Sequence, residues 1–265
     1  ESEQCPPLLP NFEPQPDEPE AYQAMKSITL DNKKTITEDD WRLSRWIYAR
    51  LTEIVDAEIK VVLDAIKETG QEENTVVIFS SDHGDNEGAY RLHGKSTFNE
   101  QSIRIPFIIM DKGGNQKAGS VDDQHLIVNG LDLLPTVLDY AGVPNAHGDP
   151  RGRSVRPLVE GKEIPWREDV GVESAFGRMV MNDRFKYIEY DIDRNIEVRL
   201  RDMKKDPHEK THFTNDPEYA PVLGKMKARF DYWFPHEGSP VFNKNKKKSK
   251  GKKGEPLSRD EVKKR

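Results

Sequence analysis

Asp82, His83 and Lys95 combine side chains that can hold a cation and an anion together. Asp82 offers carboxylate oxygens and His83 an imidazole nitrogen, and both donors suit a divalent metal. Two adjacent ligands do not complete a coordination sphere, so further ligands must come from elsewhere. Lys95 is a compact point charge suited to an anionic substrate. His93 stands two residues before it and either touches the same anion or caps the loop. Composition leaves two uses open: a metal-assisted anion site, or a solvated turn in which Asp82 caps the next segment.

These residues need a rigid support, and the preceding stretch supplies one. Val76 to Phe79 is a continuous run of β-branched and aromatic residues, the pattern of a strand buried on both faces of a parallel sheet. In open α/β sheets ligands sit beyond the carboxyl ends of the strands, which places Asp82 and His83 at the mouth of a site. Upstream, Thr37 to Thr69 reads as a long helix. Thr37 caps an acidic first turn, Leu43, Ile47, Leu51, Ile54, Val62 and Ile66 form an apolar stripe, and Gly70 is the stop. This helix is expected to pack on the sheet as one αβ unit.

Ile103 to Met110 is a second candidate strand interrupted by Pro106, which argues for an edge or a bulge. Leu126 to Tyr140 reads as a helix with Pro135 inside it and Asp132 as a cap near its start. Segments 169–174, 179–182, 185–190 and 197–201 read as short antiparallel strands, and Glu218 to Phe234 as a final helix.

The length of 265 residues allows one large domain, or one plus a subdomain. The expected organisation is a proline-rich surface arm (1–20), an α/β core portion (21–160), a C-terminal subdomain (161–240) and a disordered basic tail (241–265). From Lys244 onward eleven Lys or Arg face three Asp or Glu, a net of +8, which leaves −14 on the rest of a chain whose total is −6. The lysine run of 244–253 lacks interleaved aromatics and suits only nonspecific contact with nucleic acid or another polyanion. No apolar run approaches a membrane span. The single cysteine, Cys5, excludes an intrachain disulfide framework.

A longer pattern adds a family. Asn74-Thr-Val-Val-Ile-Phe-Ser-Ser-Asp-His-Gly, then Lys95-x-Thr97-x-x-Glu100-x-x-x-Arg104-Ile105-Pro106, resembles the sulfatases of the alkaline-phosphatase superfamily. Asp132-Leu-Leu-Pro-Thr136, Ala141-Gly142, Gly152-Arg-Ser154, Lys186-Tyr187, Asp202 and Asp206-Pro-x-Glu209 follow in the family's order. The resemblance implies an α/β, alkaline-phosphatase-like mixed or parallel sheet flanked by helices, with a small C-terminal antiparallel subdomain. It implies that Asp82 and His83 ligate one Ca2+ and that Lys95 contacts the sulfate, with His93 near the anion.

It also implies a hydrolase of sulfate esters on sulfated small molecules or glycans. By resemblance alone, the compartment would be periplasmic, secreted or lysosomal. The same superfamily includes phosphomonoesterases and phosphodiesterases, and a noncatalytic metal- and anion-binding remnant is the third reading. Sulfatases use a formylglycine nucleophile made within Cys/Ser-x-Pro-x-Arg. Cys5-Pro-Pro-Leu-Leu9 has Leu9 in place of the arginine and lies too close to Asp82 for the family's order. No Ser-x-Pro-x-Arg replaces it. The chain therefore reads as the C-terminal half or more of a sulfatase, inactive alone, with the nucleophile in sequence upstream.

Overall fold

The computed structural model describes residues 4–29, 36–114, 119–145 and 148–235. His147 and the basic tail lie outside the described residues. Six helices are present among those described: α1 (Glu20–Thr29), α2 (Glu38–Glu68), α3 (Glu100–Ile103), α4 (Asn129–Tyr140), α5 (Arg156–Val159) and α6 (Ala220–Trp233). Two strands, β1 (Val76–Ser80) and β2 (Phe107–Asp111), pair with each other. Four more, β3 (Val170–Ser174), β4 (Gly177–Met181), β5 (Phe185–Ile192) and β6 (Asn195–Asp202), form an antiparallel meander. The short strands expected near the C-terminus are thus present and antiparallel.

The meander has an apolar layer on each face, and strand alternation explains why. Ile188, Tyr190 and Ile192 point one way, with Met179, into a cluster that takes Tyr22 and Met25 of α1 and Tyr90, Leu92 and Phe98 of the 85–98 loop. Tyr187 points the other way, with Val180 and Leu200, into a cluster with Met226, Phe230 and Trp233 of α6. Each of those α6 side chains removed from water contributes about 1.5–3 kcal/mol. The expected final helix and its apolar side are therefore present.

The N-terminal segment differs from the expected surface arm. Phe12 is buried edge-on against Trp41, and Asn11 is buried beside it. Helix α1 begins directly after Pro19 and was not anticipated. Proline is tolerated at a helix entrance, so Pro19 marks the start of α1, while residues 6–19 keep the irregular backbone their prolines favour.

Helix α2 forms where its pattern requires. Thr37 accepts from the Asp40 backbone N–H while Asp40 accepts from the Thr37 N–H, a complete capping box. Gly70, at φ 66°, ends it. Its placement corrects the expectation of an αβ unit. Only Trp41 of α2 is buried, and Leu51, Ile54 and Val62 of its stripe are 56–60% exposed. The stripe has no covering layer among the described residues.

The first sheet is corrected likewise. β1 runs antiparallel to β2, with Phe79 opposite Ile108, and that face is exposed rather than buried on both sides. Pro106 precedes β2 instead of interrupting it, because 100–103 turns into α3. A pair of strands alone is marginal in water, and this ribbon and the α2 stripe are exposed apolar surfaces among the described residues. Among the described residues, no helix is long and apolar enough to cross a membrane.

Candidate functional site

The end of β1 feeds a turn that is fixed on three sides. Ser81 Oγ donates to the His83 carbonyl at 2.8 Å, and Asn129, at the start of α4, donates to the Ser81 carbonyl. The Gly84 N–H donates to the Ser102 carbonyl at 2.8 Å. A Cβ on Gly84 would stand 2.1 Å from the Gln101 carbonyl oxygen, so only glycine lets the two backbones approach this closely.

This turn brings Asp82 and His83 together. The His83 N–H donates to Asp82 Oδ1 at 3.0 Å, and Asp82 Oδ2 lies 3.2 Å from His83 Nε2. His83 Nδ1 lies 2.7 Å from the Gly84 carbonyl oxygen. A carbonyl only accepts, so Nδ1 carries the proton it donates to Gly84, and Nε2 is the ring nitrogen that faces Asp82 Oδ2 and could be offered to a cation placed between them. One carboxylate oxygen and one imidazole nitrogen therefore converge as adjacent ligands of a cation would, with a second-shell hydrogen bond fixing the ring. Among the described residues, no third His, Cys, Asp or Glu joins them. The pair fits one side of a divalent ion and leaves at least four positions of a calcium sphere to be filled by other groups.

Desolvation pushes the Asp82 carboxyl up, but His83, the backbone N–H groups and Lys95 outweigh it and leave its pKa lowered. Lys95 is exposed and makes no ion pair among the described residues, so its ammonium is available to an anion. His93 is placed differently: its ring stacks on Trp41 of α2, centroids 4.1 Å apart. Burial lowers its pKa against the opposing pull of Asp85, which favours a neutral ring. His93 thus tethers the loop to α2.

The loop carrying Lys95 is held open by a residue the sequence reading missed. Asn86 is fully buried. Its Oδ1 accepts from Thr97 Oγ1 at 2.7 Å and from Asn99 Nδ2 at 3.1 Å, while its Nδ2 donates to the Gly94 carbonyl at 2.9 Å. These bonds maintain a loop in which Glu87, Tyr90, Arg91 and Ser96 all have positive φ. Four such non-glycine residues within ten positions represent stored strain, which persists only where surrounding contacts over-determine it. No sequence signal distinguishes Asn86 from an ordinary polar loop residue.

Other positions of the sequence pattern serve structure. Asp132 is buried, accepts from the Val128 and Arg153 N–H groups, and forms a two-bond pair with Arg167 at 2.6 Å. Asp132 is not the N-cap residue of α4, which is Val128, but from the first turn it accepts the Val128 N–H and also ties down the 149–167 segment. Pro135 lies within a continuous α4 and supplies no N–H to the Leu131 carbonyl; Gly152 packs there so tightly that a Cβ would lie 2.3 Å from that oxygen. Lys186 is buried between Glu209, at 2.8 Å, and Glu100, at 2.5 Å.

Comparison with known proteins identifies the family. The sulfatase family model matches residues 10–143, and the model of the N-sulphoglucosamine sulphohydrolase C-terminal region matches residues 88–233. A Delta 4,5-hexuronate-2-O-sulfatase of Bacteroides thetaiotaomicron is 32% identical over 205 residues, 73% of this chain and 42% of that protein. Among solved structures, a 2-O GAG sulfatase superposes with a TM-score of 0.75 at 27% identity, covering 87% of this chain and 52% of its own. A phosphonate monoester hydrolase of Agrobacterium radiobacter superposes at 0.68 with 27% identity, covering 76% and 43%. The chain spans about two-fifths of the length of the curated relatives it matches. Its fold is the alkaline-phosphatase-like fold of these structures, and the chain belongs to the sulfatase family.

Proposed function

We propose that this chain forms the cation- and sulfate-holding side of a sulfate-ester hydrolase acting on sulfated carbohydrates. The observation that carries the reading is the convergence of Asp82 Oδ2 and His83 Nε2, 3.2 Å apart, with Lys95 on the following loop exposed and without an ion pair among the described residues. Asp82 and His83 would hold Ca2+, with His83 oriented by its Nδ1–H bond to Gly84. Bound there, the ion would act as a Lewis acid toward a sulfate oxygen. Lys95 would neutralise a second sulfate oxygen and favour the transition state, where negative charge shifts onto the leaving group and the transferred sulfuryl oxygens. The nucleophile, expected to be formylglycine, lies outside this chain, as do the remaining ligands. The carbohydrate assignment rests on the hexuronate and GAG sulfatases among the similar proteins.

The test is sulfate release from a 2-O-sulfated unsaturated disaccharide by the protein purified from its native source, with its intact mass measured. Lys95→Ala is expected to lower kcat about 10²–10³-fold, the usual effect of removing one preorganised charge partner. Full turnover by the Lys95→Ala variant, or full turnover after chelation of Ca2+ by EGTA, would sink the assignment. The phosphonate monoester hydrolase likeness supports a second reading. Phenyl phosphonate monoesters hydrolysed in preference to the sulfated sugar would favour it.

A further inference from the structure

The basic loop of residues 149–167 has a use that neither Asp82 nor Lys95 explains. Between this loop, β3 and α6 lies an open cleft of about 710 Å³, within the range that accepts small-molecule ligands. Five cationic side chains line it, Arg151, Arg153, Arg167, Lys225 and Arg229, against two carboxylates, Glu168 and Asp169. This sign is the reverse of the net −14 carried by residues outside the tail.

Three of those cations are already committed. Arg167 is paired with Asp132, Arg151 with Asp149, and Arg229 with Asp169. Arg153 and Lys225 have no ion pair among the described residues, and both are exposed. The Arg153 guanidinium lies 5.9 Å from the Trp166 ring centroid and uses one nitrogen on the Pro165 carbonyl, at 2.6 Å. Its remaining donors have no partner among the described residues. A guanidinium positioned by a ring and one hydrogen bond is pre-organised for the bidentate recognition of sulfate or carboxylate. Trp166, Tyr232 and Trp233 stand in the lining with guanidinium groups over their faces, so the cleft offers charge rather than stacking surface.

We propose that this cleft is a second saccharide-binding site that grips the anionic groups of a sulfated glycan through Arg153 and Lys225. The inference rests on the sulfated-carbohydrate reading above. A nucleic acid is disfavoured because a stacked base needs a free aromatic face, and here guanidinium groups occupy ring faces: Arg167 on Trp166, Arg151 on Trp233 and Arg229 on Tyr232.

The experiment is isothermal titration of this chain with a heparin-derived octasaccharide in 150 mM salt, which needs no turnover and so is independent of the Asp82 and Lys95 assignment. To remove binding by the tail, the seven lysines of 244–253 are replaced by Gln in every sample. Arg153→Glu with Lys225→Glu is expected to weaken binding at least tenfold. Lys225→Glu alone, on an exposed turn of α6, is expected to weaken it several-fold and guards against misfolding of the double variant. In an Asp82→Ala, Lys95→Ala background, which removes the sulfate contact proposed at the β1 end, Arg153→Glu with Lys225→Glu should still weaken the remaining binding at least tenfold. Unchanged affinity in both Lys225→Glu and the double variant would overturn the proposal. So would equal affinity for the desulfated octasaccharide.

Discussion

Replacing Asn86 with alanine tests whether the loop that delivers Lys95 is held by one buried amide. The substitution leaves the Thr97 hydroxyl and the Asn99 amide without their acceptor, and both residues are buried. The Gly94 carbonyl keeps the Asn86 backbone N–H at 2.7 Å and is not orphaned. Two stranded buried donors at about 1–3 kcal/mol each give an expected loss of about 2–6 kcal/mol, a large part of the stability of an ordinary domain. Urea unfolding measures the total, and hydrogen exchange on residues 86–99 shows where it falls. Thr97→Val removes one of the two donors, so Asn86→Ala on that background should cost about 1–3 kcal/mol less than on wild type. A loss below about 0.5 kcal/mol, or no coupling to Thr97, would refute the argument and leave the loop's positive-φ residues without their restraint.

Three further outcomes are expected. Gly84→Ala must move the Gln101 backbone; it should cost about 1–3 kcal/mol in a thermal melt and weaken Ca2+ binding by the native-source protein, because the Gly84 carbonyl orients His83. Lys186→Met strands the buried Glu209 carboxylate and should cost about 3–5 kcal/mol in urea, with part recovered in the Lys186→Met, Glu209→Gln double variant. Asp202 should shape the acid limb: hydrogen bonds from Arg184 hold its carboxyl down at about 2, against desolvation. Its folded pKa lies below the unfolded value of about 3.9, so its stabilising contribution is complete above about pH 4 and is lost as pH falls through about 2. Between those limits wild type should lose melting temperature more steeply than Asp202→Asn, and parallel profiles would contradict this.

What the sequence made legible follows from which interactions are local. The α2 capping box, the Gly70 stop, the β3–β6 alternation and the apolar side of α6 are set by neighbours within a few residues or by strand period, and each is present. The direction of β1 is not such a property: Val-Val-Ile-Phe fits a parallel or an antiparallel neighbour, and β2 decides it. The α2 stripe specifies that burial is wanted without naming the covering surface, so its exposure was not readable either. The site divides in the same way. Asp82, His83 and Lys95 were visible because their chemistry is carried by residue type at a strand end. Asn86 was invisible because its role exists only once Gly94, Thr97 and Asn99 have folded around it. Conversely, Asp132, Lys186, Asp202 and Glu209 belong to the pattern that reveals the family, yet they act as buried polar ties between loops, helices and strands. A buried charge in a low-dielectric setting needs defined partners, and losing one partner is costly. These residues therefore mark the family through the demands of folding, while Asp82, His83 and Lys95 mark it through the chemistry proposed for them.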